Sequence, residues 1–285
     1  MIILCFPILA FTEIAPFFPL VSHSFVLNPI QSDDLSFVFN SKSLEKSKRP
    51  GLSIAHQNRE WDYNWFVVAS VVPTQIGHFG IGYSNYGYSS LPVTNSDALG
   101  TYIEGNTSDT FETLVIAFSP AIKEVDFTIS TSYKYRRLVD QSANALHVDF
   151  KLSSPYIVNN QLGIQTKNLL GTKYSWDTTT RLEEDLPQYI GVYYIQPIHT
   201  LTLMLENDVC LNYSSLTTQS AGLSFQLDSF IRLFFSYQSS TIQTATTLGS
   251  EIALSEVFNL KYANRNESND QQELSIHSIG IGVKF

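Results

Sequence analysis

From Gly51 to the C-terminus, apolar and polar residues alternate with a period of two. The clearest stretch runs from Val125 to Tyr135. Its odd positions are apolar, aromatic or threonine, and every even position is polar. Side chains on a strand point alternately to its two faces, so this pattern predicts a strand with one apolar and one polar face. The same rhythm returns at 145–153, 200–206, 221–228 and 230–238, with Leu201, Leu203 and Leu205 sharing the apolar face of the second of these. Weaker strands are predicted near 51–56, 63–72, 76–86, 112–119, 161–168, 189–196, 246–254 and 257–264, and a last one over 274–285. The total is about fourteen, with no amphipathic helix between them. Short polar links such as Ser154-Pro155 and Gln196-Pro197 join consecutive strands, which implies an antiparallel meander. The segments 88–111 and 170–188 read as the two long loops.

Composition sharpens this picture. Charged residues are 15% of the 285 residues and the net charge is −9, whereas an ordinary soluble domain is about 25% charged. Disorder is excluded, because the chain has ample apolar material to bury and little charge to keep it solvated. The acidic balance argues against a nucleic-acid partner bound through phosphate neutralisation. No run of about 20 apolar residues predicts a membrane helix. Cys5 and Cys210 are too few for a disulfide framework or a structural zinc site. Residues 1–12 open with a ten-residue apolar run that suits a signal peptide, although the first basic residue of the chain is Lys42.

Two architectures share this alternation. In a soluble β-sandwich the apolar face is the interior and the outer face carries charge. In a transmembrane barrel the apolar face meets lipid and the polar face lines the lumen. Here the polar face is mostly Ser, Thr, Asn and Gln, which favours the barrel. A closed barrel also leaves no unpaired strand edge in hydrocarbon. Tyr133, Tyr135, Tyr193, Tyr194 and Tyr237 are then expected to form interfacial girdles. The alternative is a secreted soluble β-sandwich acting as a carbohydrate-binding or adhesive module, with Trp and Tyr platforms.

Counting back by twos from the terminus puts Phe285, Val283, Ile281 and Ile279 on one face. A last strand ending on a terminal aromatic resembles the assembly signal of bacterial outer-membrane barrels. An ordered series of patches resembles the PorV/PorQ family and its FadL-like relatives, the long-chain fatty-acid transporters. Asp33-Asp34 and Phe39-Asn40 to Leu44 look like a degraded form of that family's N-terminal Asp-Asp…Asn-Pro-Ala-Gly-Leu segment. Leu52 to His56, Gly80 to Gly87, Ser130 to Tyr135, Ala145 to Leu152, Leu162 to Leu169, Leu186-Pro187 and Gly249 to Tyr262 follow in order. The departures are Ser-Lys after Asn40 in place of Pro-Ala, and only 14 glycines. The resemblance implies a fourteen-stranded barrel over 51–285 with an N-terminal hatch over 13–50 that folds into the lumen. It implies passage of hydrophobic molecules or service to protein secretion.

Catalytic motifs are lacking. The six histidines have no metal-ligand spacing, and His147 with Asp149 reads as polar lining rather than a cation site. Gly80-Ile81-Gly82 and Gly280-Ile281-Gly282 open no helix, so they are strand glycines rather than phosphate loops. Glu183-Glu184-Asp185 could chelate Ca²⁺, but an acidic loop run is more simply a solvated one. The reading is therefore a non-enzymatic outer-membrane β-barrel without metal or cofactor. Asp126, Ser130, Lys134, His147, Asp149, Lys151, Arg232 and Gln238 are expected to line its lumen. Asp33, Asp34, Asn40 and Leu44 are expected in the hatch. Ile279, Ile281, Val283 and Phe285 form the assembly signal. The expected partners are the bilayer, the barrel-assembly machinery, and a hydrophobic ligand or secretion components, with no nucleic acid.

Overall fold

The computed structural model describes Leu44 and residues 49–59, 63–97, 100–122, 125–138, 141–154, 160–177, 182–268 and 273–285. Sixteen strand segments account for most of them. The first half holds β1 (Gly51–Arg59), β2 (Tyr63–Thr74), β3 (Gly77–Asp97), β4 (Gly100–Pro120), β5 (Asp126–Leu138), β6 (Gln141–Ser153), β7 (Gln161–Lys167) and β8 (Lys173–Trp176). The second holds β9 (Glu183–Asp185), β10 (Tyr189–Ile198), β11 (Leu201–Cys210), β12 (Thr218–Gln226), β13 (Ile231–Ser240), β14 (Thr244–Ala253), β15 (Phe258–Ser268) and β16 (Glu273–Lys284). Each pairs antiparallel with its neighbours, and β1 pairs with β16 from Gly51↔Lys284 to Arg59↔Ile276. The sheet thus closes on itself, which excludes the β-sandwich.

The barrel has fourteen strands, because β7–β8 form one interrupted strand and β9–β10 the next. On β6, Phe150 faces Thr166 of β7 but Asn144 faces Ser175 of β8. The register of β7–β8 against β6 thus shifts by three residues, a wide bulge over 168–172. Asn168 (φ 54°) and Gly171 (φ 60°) adopt left-handed backbone there. Chain 186–188 interrupts the adjacent strand at the same level, between β9 and β10.

The expected loop over 88–111 is instead the outer part of the β3–β4 hairpin, whose two strands are each 21 residues long. β2 meets β3 only as far as Tyr88, and β5 meets β4 only as far as Asp109. The hairpin therefore projects past both neighbours. There its two strands pair only with each other, with no neighbouring strand of the barrel alongside. The expected loop over 170–188 likewise contains β8 and β9, which are too short and too offset to show a period.

Outward side chains form an apolar belt. On β16, Ile279, Ile281, Val283 and Phe285 all face outward, and Phe285 is 68% exposed. Four such alternate positions extend roughly 20 Å along a strand at about 3.3 Å per residue, close to the apolar band of about 25 Å on outer-membrane barrels. Phe79, Phe127, Phe225 and Phe258 take the first outward position from the tight-turn end. Tyr83, Tyr133, Tyr194 and Tyr237 take the third or fourth. Phe79 packs tilted against Phe118 at 4.6 Å and Phe127 meets Phe150 edge-on at 5.1 Å. Tyr193 departs from the girdle expectation. Its neighbour Tyr194 faces out, so alternation turns Tyr193 inward, where its ring lies over the bare Cα of Gly163.

Candidate functional site: the lumen

The inward face has two unlike sectors. On β2, Trp65, Val67, Ala69 and Val71 are four successive inward positions, all buried and all apolar. Ala55 of β1 and Val115 and Ala117 of β4 pack with them, and Leu44 of the N-terminal segment is buried in the same cluster. This strip runs roughly 20 Å along the wall. Apolar side chains on both faces of a strand gain nothing from alternation. The unbroken run Trp65-Phe66-Val67-Val68-Ala69 is the one signal in the sequence that marks it.

The opposite wall is charged and closely paired. Lys167 Nζ lies 2.8 Å from Asp208 Oδ2, with both side chains almost fully buried. Gln165 Nε2 donates to Asp208 Oδ1 at 2.9 Å and also to Glu206 Oε1. The Asp208 carboxylate lies over Gly191, where a Cβ would occupy its space. Lys151 Nζ sits 4.6 Å from the Tyr193 ring centre and Lys167 Nζ 5.6 Å from that of Tyr189. Further round, Arg265 donates to Glu267 at 2.8 Å and to Gln238 at 3.0 Å. Lys261 and Arg232 lie 3.7 and 3.6 Å from the two Glu251 oxygens.

All eight residues expected in the lumen occupy inward register positions. Ser130, His147, Lys151 and Gln238 are buried. Asp126 accepts from Gln161 at 3.1 Å, and Asp149 accepts the backbone N–H of Asn168 at 2.7 Å. Lys134 is half-buried between neighbouring strands. Arg232 donates to Gln226 at 2.8 Å near the tight-turn end. Of the hatch residues, Leu44 lies against the apolar strip. Asp33, Asp34 and Asn40, and the expected signal peptide, lie outside the described residues. Sequence reasoning missed Gln165, Lys167, Glu206 and Asp208, because isolated polar residues on a strand do not reveal their partners across it.

Where the wall is interrupted, side chains replace the missing ladder. Asn168 Nδ2 donates to Thr172 O at 3.1 Å and Leu186 O at 3.2 Å, and Asn168 Oδ1 accepts from Thr172 N at 2.9 Å. Asn212 bridges Gln188 N at 2.9 Å and Leu186 O at 2.8 Å. Backbone groups in a bilayer-embedded wall must be satisfied internally. Replacing Asn168 by alanine orphans several of them and is expected to cost about 1–3 kcal/mol. The readout is the urea midpoint of unfolding in detergent micelles, and an unchanged midpoint would refute that role.

At the loop-bearing end, Arg136 of β5 forms a bidentate pair with Asp109 of β4 at 3.0 and 3.2 Å. Its Nη1 also meets Glu184 of β9 at 3.2 Å. Phe111 and Trp176 cover its guanidinium at 4.6 and 5.4 Å. The Glu183–Asp185 run is thus ion-paired rather than simply solvated, since Lys173 takes Asp185 at 2.9 Å. Beyond the rim, burial and then the Asp185 and Glu184 carboxylates hold the Tyr213 hydroxyl above its ordinary range. Among the described residues no group of three or more His, Cys, Asp or Glu could hold a metal ion.

No family model matches this chain, and no curated protein matches it either. Solved structures do. The toluene transporter TbuX of Ralstonia pickettii superposes with a TM-score of 0.62 at 9% identity, over 92% of this chain and 95% of that one. The toluene transporter TodX of Pseudomonas putida gives 0.61 at 10% identity over 92% and 95%. The monoaromatic hydrocarbon channel CymD gives 0.57 at 9% identity over 85% and 90%. At such identity the likeness is one of fold. Like these outer-membrane proteins, the chain forms a closed antiparallel barrel, and the apolar belt on its outer face is a surface that suits a lipid bilayer.

Proposed function

We propose that the protein is a passive outer-membrane channel for hydrophobic small molecules. The apolar strip on β1, β2 and β4 carries this reading. Trp65, Val67, Ala69 and Val71 face inward yet stay covered, with Leu44 of the N-terminal segment in the same cluster; a lumen that only had to hold water would have no use for such a wall, which gains only from an apolar cover. The strip offers an apolar molecule a continuous wall. The charged sector, with Asp126, Ser130, Lys134, His147, Asp149, Lys151, Arg232 and Gln238, keeps the rest of the lumen rigid and selects by size and polarity. The segment from Asp33 to Leu44 acts as the hatch. Proteins of the same fold that carry toluene and other monoaromatics support this choice of cargo.

Cells producing the protein should take up a hydrophobic fluorescent probe several-fold faster than cells without it. Val67→Asp should abolish the gain at equal surface level, since it puts a charge on the strip. Equal uptake with and without the protein would sink the channel reading.

A second reading, a scaffold in protein secretion of the PorV/PorQ kind, is favoured by the β3–β4 hairpin that overhangs its neighbours. Its mark would be exported cargo co-purifying with the wild-type barrel but not with a hairpin-shortened one. In either case Ile279, Ile281, Val283 and Phe285 serve as the segment read by the barrel-assembly machinery.

A further inference from the structure

We propose that β8 and β9 form a gate at the outer mouth of the lumen, latched shut by Arg136. The proposal rests on the channel reading. Three observations converge on it.

Both strands that lead to this segment break at one level, over 168–172 and 186–188. Asn168 and Gly171, both at positive φ, lie in the first break. Paired breaks of this kind form a hinge line, because beyond them the ladder starts again in a new register. Above the line the segment pairs with β6 over a short stretch, Ala143↔Trp176 and Asn144↔Ser175, with one further backbone bond from Asp177 N to Ser142 O at 2.8 Å.

The segment is also tied across the wall. Arg136 and Glu184 stand on β5 and β9, with β6 and β8 between them, three strand spacings or about 14 Å along the wall. Their extended side chains cover that span and meet at 3.2 Å. The intervening strand presents only Ala143 and Ala145, and Tyr174 and Trp176 pack across these two small side chains. The rings thus close over a shallow place in the wall.

Finally, one charged side chain ties the segment to the continuous wall across β6. Arg136 is anchored to the continuous wall by both Asp109 oxygens. On the other side it reaches Glu184 and the Trp176 ring, and Trp176 Nε1 itself donates to Glu184 Oε2 at 3.2 Å. Phe111, stacked on Tyr86 at 4.8 Å, backs the guanidinium from the wall side. A cation gripped from both sides at a hinge is a latch. Opening exchanges the Glu184 and Trp176 contacts for water and leaves the Asp109 pair intact.

The test measures access beneath the gate, separately from transport. Ala145 is 5% exposed and lies under Tyr174. Ala145→Cys, in a Cys5→Ser, Cys210→Ala background, should react slowly with a bulky membrane-impermeant maleimide. Adding Arg136→Gln should raise the rate about tenfold, as expected when hydrogen bonds to a charged group are lost. Glu184→Gln, which leaves Arg136 paired with Asp109, should raise it less. Heat-modifiable gel migration checks that each barrel is folded, and if Arg136→Gln does not fold, Glu184→Gln decides. Unchanged reactivity in a folded variant overturns the gate even if the probe is transported. Raised reactivity without probe uptake by any variant keeps the gate and overturns the channel.

Discussion

Replacing Leu223 by arginine is expected to destabilise the folded barrel by about 2–4 kcal/mol, the cost of an arginine on the lipid face near the bilayer midplane. Leu223 is outward on β12, flanked in register by Leu203 of β11 and Phe235 of β13. Leu223 and Phe235 are exposed and Leu203 is half-buried. In water, that exposure would be a defect on a monomer of this size; in a bilayer it is the anchoring surface. The same substitution at Gln219, outward on the same strand but four residues nearer the loop-bearing end, should cost about 0–1 kcal/mol, because the penalty falls toward the interface. Unfolding by urea from lipid vesicles reads both. Equal costs at the two positions would mean that the belt is not where hydrocarbon lies.

That depth pattern was legible in the sequence because it rests on alternation alone. A period of two assigns Ile129 and Thr131 to one face and Ser130 and Ser132 to the other, whichever strands lie alongside. Each of the fourteen strands overlaps a stretch read from the sequence and most ends agree within a few residues, but the outer ends of β3 and β4 were missed by 11 and 12 residues. Alternation fails where its physical cause is absent. Beyond Tyr88 the β3–β4 hairpin has no further pairing with β2, and beyond Asp109 none with β5, so the barrel wall no longer sets a lipid side and a lumen side there. On β2 both faces are apolar, and the pattern is flat where the lumen matters most.

The pairings were beyond sequence for a different reason. Asp109 lies 27 residues from Arg136, and Glu184 a further 48 beyond it. Only barrel curvature and a three-residue register shift bring these side chains together. Tyr193 shows the limit on a smaller scale. Residue type alone suggests an interfacial tyrosine, but its parity within β10 and the missing side chain at Gly163 turn it to the lumen.

The largest effect inside the lumen is expected at Asp208. Asp208→Ala deprives the buried Lys167 ammonium of the carboxylate 2.8 Å away and Gln165 of an acceptor. Breaking one side of a buried ion pair typically costs about 3–5 kcal/mol, because a charge is left in a medium that solvates it poorly. Asp208→Asn keeps a hydrogen-bond acceptor without the charge and should fall between alanine and wild type. The paired substitution Lys167→Met with Asp208→Leu removes both charges, so it should be milder than Asp208→Ala alone, since apolar replacement of a whole buried pair is often neutral. Urea midpoints in micelles give the order. If the double variant proves the least stable of the three, the pair contributes net stability of its own, and the charged sector is more than a set of mutually compensated burials. If Asp208→Ala costs less than about 1 kcal/mol, water reaches Lys167 as it reaches an exposed pair. The polar wall would then be an open aqueous surface, and the lumen would be selective on its apolar side only.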